Sequence, residues 1–194
     1  MESENTFFAM MARMKFINRW ALMRNSYEEN ISEHSMEVAM IAHALAIIGN
    51  KRLGRRYPAE KIAMIGLYHD CTEIITGDMP TPIKYKNDKI QEAYKEIEAG
   101  AARRLLQRLP KDLREAYEPY LLEAETDEEE RRLVKAADKL SALIKCIEEQ
   151  KAGNQEFLKA KETLQKAVEA LDCAEADIFC QEFLPHYYKT LDEL

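Results

Sequence analysis

The sequence predicts an all-α protein built as a single helical bundle. The chain contains only 6 glycines and 6 prolines in 194 residues, too few turn residues to punctuate a many-stranded sheet. Apolar residues recur at helical spacing along most of its length. Hydrophobic residues make up 46% and charged residues 32%, which is ordinary for a globular domain of this size. We therefore expect one domain over residues 1–194, without internal repeats or a long linker.

The first elements follow from the positions of apolar and capping residues. Helical spacing predicts a helix over 7–17, and a polar stretch follows it. Ser32 is expected to cap the next helix, whose run over 36–48 is apolar on nearly every side. Such a helix is normally the buried centre of a bundle. Gly49-Asn50 is expected to end it.

The third helix is expected to start at Pro58, since proline suits the first turn of a helix. It carries His69-Asp70 at or near its buried end. The following segment, Gly-Asp-Met-Pro-Thr-Pro at 77–82, cannot form a regular helix because two prolines remove donors and fix the backbone. The sequence thus places a rigid loop directly after a His-Asp pair.

The C-terminal half reads as a series of helices. Their predicted ranges are 88–109, 110–123, 127–150, 156–171 and 174–183. Thr126 and Glu129, three residues apart, form a capping-box pattern for the third of these helices. No segment alternates in the manner of a strand.

Composition also argues against several classes of function. With 28 Lys and Arg against 35 Asp and Glu, the net charge is −7, whereas binding of long nucleic acid calls for a basic face. The 4 cysteines lack CxxC spacing and a paired pattern, so we expect reduced thiols. No apolar run has the length of a membrane span, and the N-terminus lacks a basic signal-peptide region. We expect a cytoplasmic protein without a membrane partner.

The candidate chemistry centres on two of the 4 histidines. His34 precedes the apolar run of its helix, and His69 adjoins Asp70. A buried imidazole beside a carboxylate is costly unless a cation pairs them, and a divalent metal does this well. Asp138, beside the apolar stripe of helix 127–150, offers a further oxygen ligand. Spacing alone leaves open whether Asp138 is a ligand or a solvated acid.

The order of these residues resembles that of the HD-domain metal-dependent phosphohydrolases, with their H…HD…D pattern. Four segments extend the likeness to the bacterial YfbR-type 5′-deoxynucleotidases. They are Ile-Asn-Arg-Trp at 17–20, Asn-Ile-Ser-Glu-His-Ser at 30–35, Tyr-His-Asp-Cys-Thr-Glu at 68–73 and Thr-Gly-Asp-Met-Pro-Thr-Pro-Ile-Lys at 76–84. The resemblance covers nearly the whole chain. It implies an HD-domain helical bundle, a homodimer, and hydrolysis of deoxyribonucleoside 5′-monophosphates to deoxyribonucleoside and inorganic phosphate.

The resemblance also implies the metal ligands, namely His34, His69, Asp70 and Asp138. Two imidazoles and two carboxylates suit a first-row divalent ion, with Co²⁺ or Mn²⁺ favoured and Fe²⁺ or Ni²⁺ also compatible. Such an ion lowers the pKa of water and polarises a phosphorus centre.

Further residues are implied around the metal. Glu73 is expected to orient or deprotonate the attacking water, and Asp78 to protonate the departing 5′-oxygen, although which acid has which role stays open. Arg19 clamps the phosphate, and Trp20 lies against the sugar without room for a 2′-hydroxyl. The catalytic residues implied are Glu73, Asp78 and Arg19. The substrate-binding residues implied are Arg19, Trp20, His34, Asp78, Thr81, Pro82, Ile83 and Lys84.

Two other readings compete with this one. Another HD activity, on a triphosphate, a cyclic dinucleotide or an alarmone, calls for more cations than Arg19, Arg24, Lys84 and Lys86 supply. A helical scaffold with a vestigial site is expected to have lost a ligand or an acid, and none is missing. Aromatic residues of the C-terminal helices either cover a dimer interface or close the core. They are Phe179, Phe183, Tyr187 and Tyr188.

Overall fold

The computed structural model describes residues 5–84, 86–122 and 126–194, without the side chain of Thr81. Within these ranges the chain forms helices and one isolated antiparallel bridge, Asn18 to Asn30, but no β-strand. The predicted all-α fold is confirmed. The α-helices are α1 (Phe7–Met11), α2 (Ile31–Arg52), α3 (Ala59–Tyr68), α4 (Glu73–Thr76), α5 (Thr81–Lys84), α6 (Asp88–Gln107), α7 (Lys111–Leu121), α8 (Glu128–Lys151), α9 (Leu158–Glu169) and α10 (Ala174–Glu182). Short 3₁₀ turns cover Ala12–Phe16, Gln155–Phe157, Leu184–Tyr188 and Leu191–Glu193.

Helix α2 begins and ends differently from the prediction. Its N-cap is Asn30 rather than Ser32, since the Asn30 side chain accepts hydrogen bonds from the backbone N–H groups of Ser32 and Glu33. At the other end, Gly49 and Asn50 continue the helix to Arg52.

Gly49 and Asn50 serve packing instead of termination. A Cβ on Gly49 would lie 2.6 Å from the Tyr57 ring, so only glycine fits there. Asn50 Nδ2 donates to the Tyr57 carbonyl oxygen at 2.9 Å, and Asn50 Oδ1 accepts from the Tyr57 backbone N–H at 2.6 Å. The left-handed residue that follows the helix is Gly54, at φ +67°.

The capping box of α8 lies one residue later than predicted. Asp127 is the N-cap, and Glu130 accepts from its backbone N–H at 3.2 Å. Thr126, predicted as the cap, instead donates its hydroxyl to the carbonyl oxygen of Leu122 at 3.4 Å. The predicted end of the preceding helix at Glu123 lies outside the described residues.

Two other helices differ in detail. The first predicted helix changes at Ala12 into a 3₁₀ turn. The segment after Gly77 is irregular as predicted only to Pro80, and α5 then starts at Thr81. Pro82 is tolerated there because the first turn of a helix has no internal acceptor for its N–H.

The chain packs into two compact units. The first comprises Met1–Leu22, Glu28–Ser35 and Tyr68–Thr126, and the second comprises Met23–Tyr27, Met36–Leu67 and Asp127–Leu194. The organisation of residues 1–194 as a single domain stays a prediction.

The core of the first unit is formed mainly by α1, the 3₁₀ turn Ala12–Phe16, α6 and α7. The ring of Phe7 meets that of Tyr117 edge-on, with centroids 5.4 Å apart, and Tyr68 packs against the same ring. The buried residues of this core are Phe7, Met14, Ile31, Cys71, Leu105, Leu106, Leu109 and Leu121.

The second unit is organised around α8, which packs against α9 and α10. Leu133, Leu140 and Ile144 of α8 are fully buried. Gly66 of α3 allows a close helix crossing, because a Cβ there would lie 3.1 Å from the backbone of Ala39.

Helix α2 passes a length and composition test for a membrane span. Its most apolar window is 50% buried inside the protein. The buried core helix of a globular protein passes the same test. The prediction that α2 is buried on nearly every side holds for only part of its surface, because Met36 and Met40 are 56% and 59% exposed.

Candidate active site

His34 occupies the first turn of α2. Asn30 caps this turn with its side chain, and Glu33 accepts from the Asn30 backbone N–H at 3.2 Å. The His34 backbone N–H donates to the Asn30 carbonyl oxygen at 3.1 Å. His34 is fully buried, so the capped turn holds its imidazole in a fixed place.

His69 and Asp70 lie in the turn that connects α3 to α4. Asp70 Oδ2 is 3.1 Å from His69 Nε2 and 3.5 Å from His34 Nε2. The two imidazole centroids are 5.2 Å apart. One potential ligand atom from each of the three residues lies within 4.8 Å of the other two. The structure therefore brings together three of the four predicted metal ligands.

Asp70 is held as a carboxylate. Burial raises the pKa of Asp70, but the combined effect of His69, His34 and Arg19 lowers it by more. The pKa of Asp70 therefore lies well below its usual range. An anionic Asp70 is the form that binds a cation.

Glu73 opens α4, which packs against the 3₁₀ turn and α6. It is 6% exposed, and its Oε2 atom has no hydrogen-bond partner among the described residues. Burial, and then the charges of Asp70 and Asp78, raise the pKa of Glu73 well above its usual range. A buried acceptor of this kind is costly unless a ligand or a proton satisfies it.

Asp78 follows Gly77 in the loop between α4 and α5. Gly77 has φ +74° and ψ 161°, a conformation that is essentially restricted to glycine. Burial raises the pKa of Asp78, while Arg19 and a hydrogen bond with the backbone of Trp20 lower it in part. The net shift is upward, so at a given pH a larger fraction of Asp78 carries a proton than of an exposed aspartate.

Arg19 and Trp20 are held by the antiparallel bridge that follows the 3₁₀ turn. The Arg19 backbone N–H donates to the Glu29 carbonyl oxygen at 2.9 Å. Arg19 Nη1 lies 2.8 Å from Glu29 Oε2, and Trp20 Nε1 donates to the same oxygen at 3.1 Å. Arg19 lowers the pKa values of Asp70, Glu73 and Asp78, which places its charge within electrostatic reach of these acids.

Glu29 is the residue that sequence reasoning missed. It is 7% exposed and stands in a polar stretch next to an exposed Glu28. Nothing in the spacing distinguishes the two. Only the bridge between Asn18 and Asn30 brings Glu29 to Arg19, which lies ten positions earlier in the chain.

The predicted substrate loop is partly described. Pro82 and Ile83 are exposed, and Lys84 is half-buried. Lys84 Nζ donates to Glu98 at 3.0 Å and lies 4.7 Å from the Tyr94 ring centroid. The Thr81 side chain, predicted to bind substrate, lies outside the described part of the structure.

Asp138 belongs to α8 in the second unit, where it is half-buried beside fully buried Ala137. Its part as the fourth metal ligand stays a prediction.

The fold is that of the HD-domain phosphohydrolases. An HD-domain phosphohydrolase from Listeria innocua matches 94% of this chain and 88% of its own length, with a TM-score of 0.80 and 23% identity. The cyanophage S-2L HD phosphohydrolase DatZ, solved with dA and one catalytic Zn²⁺ ion, matches 94% of this chain and 96% of its own, with a TM-score of 0.68 and 22% identity.

Sequence comparison narrows this class to one family. The model of the YfbR-like 5′-deoxynucleotidases matches residues 6–187. A 5′-deoxynucleotidase of Klebsiella pneumoniae is 49% identical over 192 residues, covering 99% of this chain and 96% of the relative. The chain belongs to the YfbR-like 5′-deoxynucleotidase family. The predicted family, the HD-domain class and the assignment to the hydrolytic enzymes are confirmed.

Proposed function

We propose that this protein is a metal-dependent 5′-deoxynucleotidase that releases inorganic phosphate from deoxyribonucleoside 5′-monophosphates. One observation of the structure supports this proposal in addition to the family assignment. Ligand atoms of His34, His69 and Asp70 converge to within 4.8 Å. Three residues after Asp70 lies Glu73, with a buried carboxylate oxygen that has no partner among the described residues. A cation site next to an unsatisfied acid suits hydrolysis.

The donor set fits a divalent metal. Imidazole nitrogens and a carboxylate held anionic are ligands of first-row ions, and we favour Co²⁺ or Mn²⁺. His34, His69 and Asp70 would hold the ion, with Asp138 as the fourth ligand. When bound, it supplies Lewis acidity at the phosphorus centre and lowers the pKa of water.

The two acids, buried Glu73 and half-buried Asp78, divide the proton transfers. A divalent cation bound beside Glu73 would lower the pKa of this buried acid, and in its anionic form Glu73 orients the attacking water and accepts its proton at Oε2. Asp78 donates a proton to the departing 5′-oxygen of the nucleoside, and its raised pKa favours that direction. The Trp20 backbone holds the Asp78 carboxyl in position through the hydrogen bond between them.

Arg19 and Trp20 contact two different parts of the substrate, the phosphate and the sugar. The guanidinium of Arg19 binds phosphate oxygens and stays charged at all relevant pH values. Trp20 faces the deoxyribose and leaves a 2′-hydroxyl without space or a partner. A purely apolar wall rejects an added hydroxyl by about a hundredfold. His34, Asp78, Thr81, Pro82, Ile83 and Lys84 complete the proposed substrate contacts.

We also propose a cytoplasmic homodimer. Support for the dimer comes from a row of exposed apolar side chains on α2, Met36 at 56%, Met40 at 59% and Ile47 at 38%, which share one helical face. Phe183 and Tyr188 are exposed as well, whereas Phe179 is buried and closes the core. Sedimentation equilibrium measures this assembly. The absence of long nucleic acid and membrane partners stays a prediction.

The testing experiment is phosphate release by chelator-stripped protein. dAMP and AMP are compared while Co²⁺, Mn²⁺, Mg²⁺ or Zn²⁺ is restored singly. We expect release that requires metal and favours dAMP. Asp70→Ala is expected to lose bound metal and turnover together, whereas Asp88→Ala, at the exposed start of α6, keeps both. Release without metal, or none from either nucleotide with any metal, would contradict the proposal.

A further inference from the structure

One oxygen atom connects the two side chains proposed to bind phosphate and sugar. Glu29 Oε2 accepts from Arg19 Nη1 at 2.8 Å and from Trp20 Nε1 at 3.1 Å. The side chains of Arg19 and Glu29 are only 12% and 9% exposed. A charge-assisted pair shielded from water is stronger and better fixed than an exposed one.

The backbone at this point depends on such a contact. Trp20 has φ +59°, in the left-handed region that residues with a Cβ seldom occupy. The surroundings must hold it there. They do so from two sides, since the indole N–H donates to Glu29 and the backbone hydrogen-bonds Asp78.

We propose that Glu29 is a positioning residue for nucleotide recognition, which fixes Arg19 and Trp20 in one shared orientation and thereby sets both substrate affinity and deoxyribose selectivity. The inference rests on the proposed function. Glu29 acts through its two neighbours and does not itself touch the reacting atoms. The contact with Glu29 Oε2 is made by Nη1 of the guanidinium group and fixes the rotamer of Arg19.

The chain supplies a matched control in the adjacent acid. Glu28 Oε2 accepts from Asn18 Nδ2 at 3.1 Å in an exposed contact. It has the same charge and lies in the same segment, but no described contact joins it to Arg19 or Trp20. Glu28→Gln therefore reproduces the loss of one charge without the loss of positioning.

The experiment measures kcat and KM for dAMP and AMP in Glu29→Ala, Glu29→Gln and Glu28→Gln. Loss of hydrogen bonds to a charged partner corresponds to about a 10- to 100-fold effect. In Glu29→Ala we expect KM for dAMP to rise by about that factor, with a smaller change in kcat and a reduced preference for dAMP over AMP. Glu29→Gln retains an acceptor oxygen and is expected to be intermediate, and Glu28→Gln to match the wild type.

A spectroscopic readout needs no substrate. Trp20 is the single tryptophan, so emission excited at a wavelength that tyrosine does not absorb reports the surroundings of Trp20 alone. We expect a shifted emission maximum in Glu29→Ala and none in Glu28→Gln. In a Trp20→Phe background, which lacks the indole N–H, replacing Glu29 should no longer alter the ratio of dAMP to AMP turnover.

The outcomes separate this inference from the proposed function. An active wild type with unchanged emission, KM and dAMP preference in both Glu29 variants would overturn the positioning role alone. A uniform fall in kcat for both nucleotides, with KM and emission unchanged, would mean a structural role and would also overturn it. A wild type that releases no phosphate from dAMP would overturn the proposed function, and the nucleotide part of this inference with it.

Discussion

Glu73, which is buried, and Asp78, which is half-buried, are two acids whose roles the reaction can separate. A proton donor to the leaving group matters only when that group is a poor one, as the 5′-oxygen of a nucleoside is. General acid catalysis contributes about 10²- to 10⁴-fold. In Asp78→Asn we expect hydrolysis of dAMP to fall by about that factor, while p-nitrophenyl phosphate, whose leaving group departs unprotonated, is affected far less.

Glu73→Gln is the paired control for this prediction. Attack by water is common to both substrates, so this variant is expected to slow both to a similar extent. The measurement is kcat for each substrate in each variant. Equal losses on both substrates in Asp78→Asn would show that Asp78 is not the proton donor.

Among single residues, the sequence predicted those that are neighbours in the chain or belong to an ordered motif. His69 and Asp70 are neighbours in the chain, and His34 lies in a recognisable capped turn, so three of the cluster's members were predictable. Glu29 was not, because its importance arises from the Asn18–Asn30 bridge, which brings it to Arg19, ten positions earlier in the chain. Glu29 is buried and Glu28 is exposed, but the sequence of a polar stretch does not show which of its residues is buried.

The loop between α4 and α5 carries Asp78, and its shape depends on Gly77. At φ +74° and ψ 161° a Cβ imposes strain of about 1–3 kcal/mol. The space around Gly77 is open, with no described atom within 4 Å of an added Cβ, so backbone conformation alone is at issue. We expect Gly77→Ala to lower the free energy of unfolding by about this amount, or to move the loop and lower kcat for dAMP.

Gly100→Ala is the matched control. Gly100 lies inside α6, where an added Cβ also meets nothing within 4 Å, but its φ is not positive. Alanine in a helix interior is about 0.5–1 kcal/mol more favourable than glycine. Urea unfolding and dAMP turnover are measured on both variants. If Gly77→Ala behaves like Gly100→Ala, the backbone of the loop does not require glycine.

The sequence predicted which segments form helices better than it predicted where each helix begins and ends. The apolar stripe that predicted α8 reflects burial of one helical face, and the residues of that stripe are buried in the structure. Gly49-Asn50 resembles a helix stop by composition, but Tyr57 occupies the space above Gly49 and bonds Asn50. Tertiary contacts of this kind override local preference, and a single sequence does not display them.

The polar interior of the second unit bears on the stability of the molecule as a whole. Lys145 and Glu149 are 1% and 0% exposed, and Lys145 Nζ donates to Glu149 Oε1 at 2.5 Å. Lys145 also donates to the Tyr27 carbonyl oxygen at 2.8 Å, and Ser26 donates its backbone N–H to Glu149 at 2.9 Å. The pair thus anchors segment 23–27, which in the chain lies between Trp20 and Glu29. Breaking a buried pair by removing one partner costs about 3–5 kcal/mol, so this anchor is a large part of a domain's usual stability.

This pair predicts a specific acid dependence of stability. Burial raises the pKa of Glu149, but hydrogen bonds from Lys145, Asn154 and Ser26 lower it to about 2, from an ordinary value of 4.5. Since the folded pKa is the lower one, the contribution of Glu149 is fully present above its unfolded pKa and is lost as the pH falls towards the folded pKa. Urea unfolding from about pH 6 down to about pH 3, with chelator present to hold metal linkage fixed, measures it. We expect Glu149→Gln to be less stable than wild type at the upper end and the difference to shrink on acidification. Glu169→Gln, at an exposed position of α9, is the control. A difference that stays constant over this range would mean that the charge of Glu149 adds nothing to stability.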